Sequence, residues 1–504
     1  MNLRLMLEAA AGRYGGKTAV AMDERRLSYA QLDEAANKMA NALLGMGVKK
    51  GDRVAMLLPN SPEFAAIYFG VVKIGGIAVP LDTKYKLTEL ASLFNDSQPR
   101  VVVAESPLLE PIVPALGGFK SIAGVIEVGS EGKGQFLSYQ EIMATSSAEP
   151  VAVELKGEDI AHIAYTSGPS FNPRGVVMSH QALVREAAIS GDGFKQTDKD
   201  VVVLFALPMH HAFGLVVILM TAITKGSTVV ILGGLSINSL LEVIEREKAT
   251  IFMAVPFVHA LIANTAETEG IHHDLSSIRL WGTAGAAMPA NTWQKIKQHF
   301  DLSAVDFWGM TESAAHVTCQ SLDGAGKPGS VGKALPGWEL KIVDDDGREL
   351  SPNQPGEIVV RGPIMNGYYN NPQATAEVIK NGWLHTADIG RVDEEGWLFL
   401  LGGRKKDMLI AKGQNIYPSD IEQVLASHPK VAEAVVVGIP DEVRGETPKA
   451  FVSLKAGEAA TEQEIKRFCL ERLANYKVPR EFIFADSLPK TADGKIDKKS
   501  LREK

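Results

Sequence analysis

The sequence predicts an α/β protein with a large N-terminal domain of parallel sheets wrapped by helices, a β-barrel-like part, and a small α+β C-terminal domain. Strand and helix patterns alternate as far as residue 284, short strands with frequent turns follow from residue 331, and an α/β pattern resumes after residue 413. The chain has 504 residues, which is too long for a single core and indicates at least two domains. Its hydrophobic content of 45% is typical of a globular protein.

Predicted helices and strands alternate from the N-terminal part of the sequence onward. Apolar residues at helical spacing predict a helix over residues 27–46, and a predicted strand at residues 53–58 follows it. Further helices are predicted at residues 61–74 and 88–95, and further strands at residues 78–81 and 101–105. This alternation is typical of a parallel sheet covered by helices.

A loop rich in glycine, proline and hydroxyl residues occupies residues 165–175, between two apolar segments. A loop of this composition between strands can direct backbone N–H groups toward an anion, and four of its side chains are donors: Thr166, Ser167, Ser170 and Arg174. From composition alone, a phosphate-binding loop and an ordinary surface turn both remain open.

Beyond this loop the alternation continues with strands predicted at residues 201–207, 228–232, 251–255 and 280–284, and a helix at residues 236–248. Short strands separated by turns then predict the hairpin-rich, β-barrel-like part. Glycine and lysine are dense in residues 402–413, which predicts a domain boundary at Arg404. The predicted domains are therefore residues 1–403 and 404–504.

Net charge, cysteine content and hydropathy indicate which partners and which cellular compartment the protein has. The formal net charge of −8 argues against nucleic acid as a partner. Two cysteines, Cys319 and Cys469, are too few for a disulfide framework, so a reducing compartment, the cytoplasm, is expected. The most apolar window, residues 215–223, is too short to cross a bilayer, which leaves at most peripheral membrane contact. A homodimer remains open.

Six motifs, in a fixed order, resemble those of the adenylate-forming superfamily, which includes acyl-CoA synthetases, luciferase and the adenylation domains of peptide synthetases. The motifs occupy residues 166–175, 308–312, 383–388, 403–407, 413–418 and 489–495. The resemblance covers essentially the whole chain. It implies AMP-forming activation of a carboxylic acid by ATP with Mg²⁺, and transfer of the acyl group to CoA.

The same resemblance implies the residues that bind the nucleotide. Those implied at the phosphates, adenine and ribose are Thr166, Ser167, Gly168, Ser170, Arg174, Gly175, Gly285, Ala286, Trp308 and Asp388. Thr311 is implied at the α-phosphate, Glu312 at Mg²⁺, and Arg404 at the ribose or phosphates.

Other residues are implied in the chemistry and in a movement of the C-terminal domain. Lys495 is implied to bridge the acid and the α-phosphate, which suits a step in which two anions meet. His210 is implied near the acyl group, and the segment of Gly413 near the thiol of CoA. Because Lys495 and Gly413 serve different steps, a mobile C-terminal domain turning about Lys406 is expected.

The residues around the acyl site predict the class of acid. Residues 207–210 contain no carboxylate to hold an amino group, and residues 253–262 contain no arginine to hold a second carboxylate. Phe213, Val255, Phe257 and Trp281 are available as an apolar lining. We therefore expect an apolar monocarboxylic acid, whether fatty, alicyclic or aryl.

The phosphate loop departs from the superfamily pattern. Pro169 and Phe171 stand where threonine and glycine are usual, so the loop has fewer donors and less backbone freedom. Three functions stay open: an acyl-CoA synthetase that also runs in reverse, an acyl-adenylate ligase for another acceptor, and a non-catalytic acyl-nucleotide-binding relative. The presence of Glu312, Asp388 and Lys495 argues against the third, and the lack of an insertion in residues 402–413 argues against the second.

Overall fold

A computed structural model provides the structure of the chain. It describes residues 1–129, 136–165, 174–234, 236–285, 288, 290–300, 304–324, 326–401, 408–441, 443–455, 457–489 and 498–502.

In this described part of the chain, the helices and strands are numbered in chain order. The α-helices are α1 (Leu3–Tyr14), α2 (Tyr29–Gly45), α3 (Pro62–Lys73), α4 (Leu87–Ser97), α5 (Ser106–Leu109), α6 (Val113–Leu116), α7 (Tyr139–Thr145), α8 (His180–Gly193), α9 (Thr221–Lys225), α10 (Ile237–Glu247), α11 (Pro256–Thr268), α12 (Ala290–Phe300), α13 (Pro372–Val378), α14 (Pro418–Ala426), α15 (Glu462–Leu470) and α16 (Lys498–Arg502). The strands are β1 (Thr18–Met22), β2 (Arg25–Ser28), β3 (Arg53–Leu57), β4 (Ile77–Pro80), β5 (Val101–Glu105), β6 (Gly124–Val128), β7 (Leu137–Ser138), β8 (Ile160–Tyr165), β9 (Gly175–Ser179), β10 (Val201–Phe205), β11 (Thr228–Leu232), β12 (Ile251–Ala254), β13 (Leu280–Thr283), β14 (Ala304–Trp308), β15 (Thr318–Cys319), β16 (Lys333–Ala334), β17 (Glu339–Val343), β18 (Gly356–Arg361), β19 (Gly367–Tyr368), β20 (Ile379–Lys380), β21 (Trp383–Val392), β22 (Leu398–Leu400), β23 (Leu409–Ala411), β24 (Gln414–Ile416), β25 (Val431–Asp441), β26 (Gly445–Leu454) and β27 (Glu481–Phe484).

The chain divides into two compact units. The first comprises Met1–Thr83, Ser97–Ala164 and Gly175–Gly403. The second comprises Lys84–Asp96, Tyr165–Arg174 and Arg404–Lys504. The boundary predicted at Arg404 falls in residues 402–407, outside the described residues, and stays a prediction.

The first unit is built on two large sheets. One has the strand order β16-β15-β14-β13-β12-β10-β11-β1-β2, and its central strands from β14 to β1 are parallel. The other has the order β19-β9-β8-β4-β3-β5-β6-β7, and the pairs from β8 through β7 are parallel. A third, antiparallel sheet, β17-β18-β21-β20 with β22 beside β21, is the hairpin-rich part.

The second unit contains a smaller mixed sheet. Its strand order is β24-β23-β26-β25, with β27 parallel to β26. The helices α14 and α15 pack on it around a core that includes Ile421, Leu425, Val436 and Ile465. The mixed α/β architecture predicted from the sequence, with parallel sheets in the large N-terminal part and a small C-terminal part, is confirmed.

The helix predicted at residues 27–46 begins two residues later than predicted, and the local sequence explains why. Residues 25–28 form β2 instead of the first helical turn, and α2 starts at Tyr29. Ser28 caps α2, because its hydroxyl accepts from the N–H of Gln31 while the Gln31 side chain accepts from the N–H of Ser28. This reciprocal pair is a capping box, and it fixes the strand-to-helix change at one residue.

The apolar window at residues 215–223 is helical and buried. Phe213–Met220 forms a π-helix that continues into α9. None of the helices among the described residues combines the length and the apolarity that a membrane crossing would require.

Candidate active site

Three of the predicted nucleotide-site residues follow two neighbouring strands of the nine-stranded sheet. Gly285 follows β13, and Thr311 and Glu312 follow β14. The strands are parallel, with Gly282 opposite Val305. Because the carboxyl ends of parallel strands meet at one edge of a sheet, the structure places these three residues at the edge where α/β proteins bind ligands.

A tight turn carries Thr311 and Glu312 beyond β14. The N–H of Ser313 donates to the carbonyl of Met310 at 3.0 Å, and the N–H of Met310 donates back to the hydroxyl of Ser313 at 3.0 Å. A Cβ at Gly309 would lie 2.2 Å from the carbonyl oxygen of Ala315, so only glycine fits there. The glycine in the Trp-Gly-Met-Thr-Glu motif therefore permits the turn that presents Thr311 and Glu312.

Glu312 is held through both its side chain and its backbone. The hydroxyl of Tyr368 donates to Oε1 of Glu312 at 2.9 Å. The N–H of Met365 donates to the Glu312 carbonyl at 2.8 Å. One oxygen of the carboxylate is thus engaged by protein, which fixes the direction of the group.

Asp388 is buried and is linked to β14. The indole N–H of Trp308 donates to Oδ2 of Asp388 at 3.1 Å. The backbone N–H of Asp388 donates to the hydroxyl of Thr386 at 3.1 Å, and the N–H of Ala387 donates to Oε1 of Glu357 at 3.0 Å. Ala387 has a φ of +60°, a left-handed conformation that is strained for alanine. The structure thus brings the predicted ribose carboxylate into contact with the strand that leads to Thr311 and Glu312.

His210 lies beside a carboxylate. Its Nε2 is 3.8 Å from Oδ2 of Asp82, whose side chain is buried, and the His210 side chain is 9% exposed. Asn60 holds the preceding segment, because its amide donates to the carbonyl of Leu207 at 2.8 Å and its carbonyl accepts from the N–H of Met209 at 2.7 Å. The sequence predicted His210 as a site residue, but it gave no sign of Asp82 as its neighbour.

Trp281, predicted to line the acyl site, is buried on β13, opposite Phe252 of β12. Its indole N–H donates to Nδ1 of His259 at 2.8 Å, and Nε2 of His259 donates to the carbonyl of Gly282 at 3.1 Å. The ring also packs against Phe252 and Phe300. Burial lowers the pKa of His259 to about 4, so the imidazole that joins β13 to α11 is neutral at physiological pH.

Gly413, in the second unit, occupies a two-residue turn between β23 and β24. Lys412 and Gly413 have φ values of +52° and +76°, as hairpin turns of this length require. Burial lowers the pKa of Lys412, and the neighbouring charges of Arg444, Arg480 and Lys84 lower it further. The turn therefore lies in positively charged surroundings.

The phosphate loop is described only at its exit. Gly175 is the first residue of β9 and accepts at its carbonyl from the N–H of Tyr369 at 2.7 Å, and Arg174 directly precedes it. The predicted site residues that lie outside the described residues are Thr166, Ser167, Gly168, Ser170, Ala286, Arg404, Lys406 and Lys495.

Sequence reasoning missed Tyr368 and its bond to Glu312. A glycine followed by two tyrosines at residues 367–369 is a visible local feature, but a tyrosine carries no acid–base signal at neutral pH. Only the pairing of distant segments shows which of the two phenols reaches the site.

Comparison with known proteins decides the family. The AMP-binding enzyme family matches residues 7–369, and the AMP-binding enzyme C-terminal domain matches residues 420–495. The chain belongs to the AMP-binding enzyme family.

Three relatives of this AMP-binding enzyme that are named as CoA ligases or synthetases match it over almost the whole chain. An indoleacetate–CoA ligase of Aromatoleum aromaticum is 35% identical, over 100% of this chain and 98% of its own. A long-chain-fatty-acid–CoA ligase of Bacillus subtilis is 33% identical, over 100% of this chain and 94% of its own. The solved o-succinylbenzoate CoA synthetase of Bacillus subtilis has a TM-score of 0.88 at 30% identity, covering 99% of this chain and 98% of that one. The predicted enzyme class, an ATP-dependent, AMP-forming acid–CoA ligase, is confirmed.

Proposed function

We propose that this AMP-binding enzyme activates an apolar monocarboxylic acid and transfers the acyl group to CoA. The carboxylate attacks the α-phosphorus of ATP and releases pyrophosphate, and the thiol sulfur of CoA then attacks the acyl carbon and releases AMP. One observation carries the proposal. The run from Trp308 to Glu312 brings the hydroxyl of Thr311 and the carboxylate of Glu312 to the carboxyl edge of the sheet, and the indole of Trp308 donates to Asp388.

Each of these groups has a proposed role. Asp388 accepts hydrogen bonds from the ribose hydroxyls, and Gly285 leaves room for the adenine ring where a flat group approaches the backbone. Thr311 donates to the α-phosphate. Arg174 and the loop that precedes it hold the other phosphates, with Arg404 assisting at the ribose or phosphates.

Glu312 and Thr311 fit a bound Mg²⁺. This ion prefers few protein ligands together with phosphate oxygens and water, and the site offers one carboxylate and one hydroxyl. The bond from Tyr368 to Oε1 leaves Oε2 of the same carboxylate to serve as the protein ligand. When bound, the ion neutralises charge on the phosphates as pyrophosphate leaves.

The apolar surroundings of Gly285 support an apolar acid. A Cβ at Gly285 would lie 3.4 Å from Cγ1 of Val255, so an aliphatic side chain borders this segment. Phe257 and Phe213 are only partly buried, and His210 with Asp82 is the polar group proposed near the acyl carbonyl. The names of the relatives, one for a long-chain fatty acid and one for indoleacetate, support the same range of apolar acids.

The second unit is proposed to serve both half-reactions. Lys495 stabilises the meeting of carboxylate and α-phosphate, and the turn at Gly413 serves the thiol step after rotation about Lys406. The charge of −8 and the two free, buried cysteines support a cytoplasmic enzyme whose partners are small molecules.

ATP–pyrophosphate exchange tests this function. The exchange is measured, with and without CoA, for hexanoate, laurate, cyclohexanecarboxylate, benzoate, indoleacetate, malonate and glycine. Acyl-CoA formation is then measured in the presence of CoA. We expect exchange with at least one apolar monocarboxylate and none with malonate or glycine. Lys495→Ala should abolish exchange and spare thioester formation from preformed acyl-adenylate. Exchange with malonate alone would overturn the proposed substrate class.

A further inference from the structure

A short segment, Met365 to Tyr369, connects Glu312 to the strand that leaves the phosphate loop. At one side, the N–H of Met365 and the hydroxyl of Tyr368 bond to Glu312, at 2.8 and 2.9 Å. At the other side, β19 pairs with β9, with Tyr368 opposite Val176. Two separate parts of the nucleotide site are thus joined through five residues.

Backbone bonds at both ends make this connection rigid. The N–H of Asn366 donates to the carbonyl of Val177 at 2.8 Å, and the N–H of Tyr369 donates to the carbonyl of Gly175 at 2.7 Å. These acceptors are the first and third residues of β9, directly after the loop at residues 166–174. A displacement of the loop exit would therefore be transmitted to the backbone that carries Tyr368.

The backbone of Tyr368 is anchored by α13. Its N–H donates to the hydroxyl of Thr375 at 2.8 Å, and that hydroxyl donates to the carbonyl of Asn371 at 2.8 Å. Asn371 caps α13 by accepting from the N–H of Ala374 at 2.9 Å. Gly367 has a φ of +142°, and a Cβ there would meet the Thr375 side chain at 2.8 Å. The phenol, which is 6% exposed, thus reaches Glu312 from a fixed base.

We propose that Tyr368 is a positioning residue that sets the Glu312 carboxylate for the divalent metal ion accompanying ATP. A carboxylate on a free side chain rotates about its last torsion, and a hydrogen bond to one oxygen removes that freedom. With Oε1 engaged by the phenol, Oε2 would remain to hold the ion, and the pairing of β19 with β9 fixes the backbone that carries the phenol. The inference rests on the proposed metal role of Glu312.

The substitution Tyr368→Phe removes one oxygen atom and keeps the ring. Binding of Mn²⁺ in the presence of a non-hydrolysable ATP analogue is measured by the loss of the free-ion EPR signal, without any acid. We expect the dissociation constant for Mn²⁺ to rise about tenfold, the size expected for one lost hydrogen bond to a charged group. Glu312→Gln should weaken Mn²⁺ binding further.

Tyr369→Phe is the matched control, because no hydrogen bond of the Tyr369 hydroxyl is seen among the described residues. Its Mn²⁺ affinity should stay within twofold of the parent. In Tyr368→Phe, thioester formation from preformed acyl-adenylate and CoA should also be unchanged, because that half-reaction does not use the β- and γ-phosphates. High metal concentration should restore ATP–pyrophosphate exchange in this variant.

Two results would overturn the inference: unchanged Mn²⁺ affinity in Tyr368→Phe, or an equal loss in both half-reactions that metal does not restore, which would indicate a merely structural role. Failure of the proposed function would look different. The parent would then support no exchange with any acid, while the Mn²⁺ measurement would still separate Tyr368→Phe from the parent.

Discussion

Trp308 and Asp388 are eighty residues apart in sequence, yet the indole N–H of Trp308 donates to Oδ2 of Asp388 at 3.1 Å. Trp308 ends β14, directly before the turn that carries Thr311 and Glu312, whereas Asp388 lies on β21 of the antiparallel sheet. The carboxylate of Asp388, which is proposed to bind ribose, is therefore oriented by a residue of β14. The residues proposed to bind phosphate and metal, Thr311 and Glu312, directly follow the same strand.

Trp308→Phe should therefore weaken the recognition of ribose. Without the indole donor, the Asp388 carboxylate loses one of the hydrogen bonds that orient it, so its bonds to the ribose hydroxyls lose strength. We expect the ratio of kcat/KM for ATP to that for 2′-deoxy-ATP to fall about tenfold. Trp293→Phe is a matched control, since it breaks an indole–carboxylate bond to Asp306 at 3.2 Å. That control should leave the ratio unchanged, and an equal fall in both variants would contradict the prediction.

Sequence reasoning found the alternation of strands and helices because periodicity reports which face of an element is buried. It missed α1, although Leu3, Met6, Leu7 and Ala10 have helical spacing and are buried. It could not assign the apolar window that forms the π-helix, since a continuous apolar run fits a buried strand or helix equally well.

In the candidate site, too, local features could be predicted and distant contacts could not. Glu312 and Asp388 were predicted as site residues because each lies in a short motif that can be read directly from the sequence. Their hydrogen-bond partners, Tyr368 and Trp308, are 56 and 80 residues away. Such pairs depend on how two sheets place their strands, and no spacing in the sequence encodes that placement.

Ala387→Gly should stabilise the protein. Alanine at a φ of +60° costs about 1–2 kcal/mol, which glycine avoids. Glycine also raises the conformational entropy of the unfolded chain, and this cancels about 0.4–1 kcal/mol of the strain that is relieved. We therefore expect the free energy of unfolding to rise by about 0.5–1 kcal/mol. Urea denaturation measures it. Ala35→Gly, in the middle of α2, should instead destabilise by about 1 kcal/mol; a loss of stability in Ala387→Gly would refute the strain argument.

Lys477→Met should strongly destabilise the second unit. Nζ of Lys477 lies 2.7 Å from Glu89 and 3.2 Å from Asp420, and all three side chains are fully buried. Removing the cation leaves two buried carboxylates together, at a cost of about 3–5 kcal/mol. Arg467→Met is the control, because its pair with Glu471 is exposed and is worth less than about 1 kcal/mol. Similar denaturation midpoints for the two variants would disprove the role of the buried cluster.

Reversion of the phosphate loop tests whether its composition favours the reverse reaction. The fourfold variant Pro169→Thr, Ser170→Thr, Phe171→Gly, Arg174→Lys restores donors and backbone freedom, so KM for ATP and for pyrophosphate should fall about tenfold. Thioester formation from acyl-adenylate and CoA should be unchanged. Arg174→Lys alone should weaken ATP binding, because a guanidinium binds two phosphate oxygens where an ammonium binds one at a time. An unaltered KM for ATP in the fourfold variant would show that the native loop is fully competent.

Asp306, on β14, should make stability fall as pH rises. Burial raises the pKa of its carboxyl to about 7 from the ordinary value of 3.8, although the indole of Trp293 donates to it and partly opposes the shift. Between about pH 4 and pH 7 the folded protein holds a proton that the unfolded chain has released, so the folded state loses stability as pH rises through this window. The loss reaches at most about 4 kcal/mol and is complete above about pH 7.

Asp306→Asn isolates this contribution. His259 acts in the opposite direction, because its pKa of about 4 makes stability rise between about pH 4 and pH 6.5, and other buried histidines add to that rise. The measured quantity is therefore the difference in the free energy of unfolding between variant and parent, taken from urea denaturation at pH 4.5, 6 and 8, in which those contributions cancel. An amide does not titrate, so the variant should gain stability relative to the parent from pH 4.5 to pH 8. A difference that stays constant with pH would mean that the carboxyl of Asp306 is already ionised in the folded protein at pH 4.5.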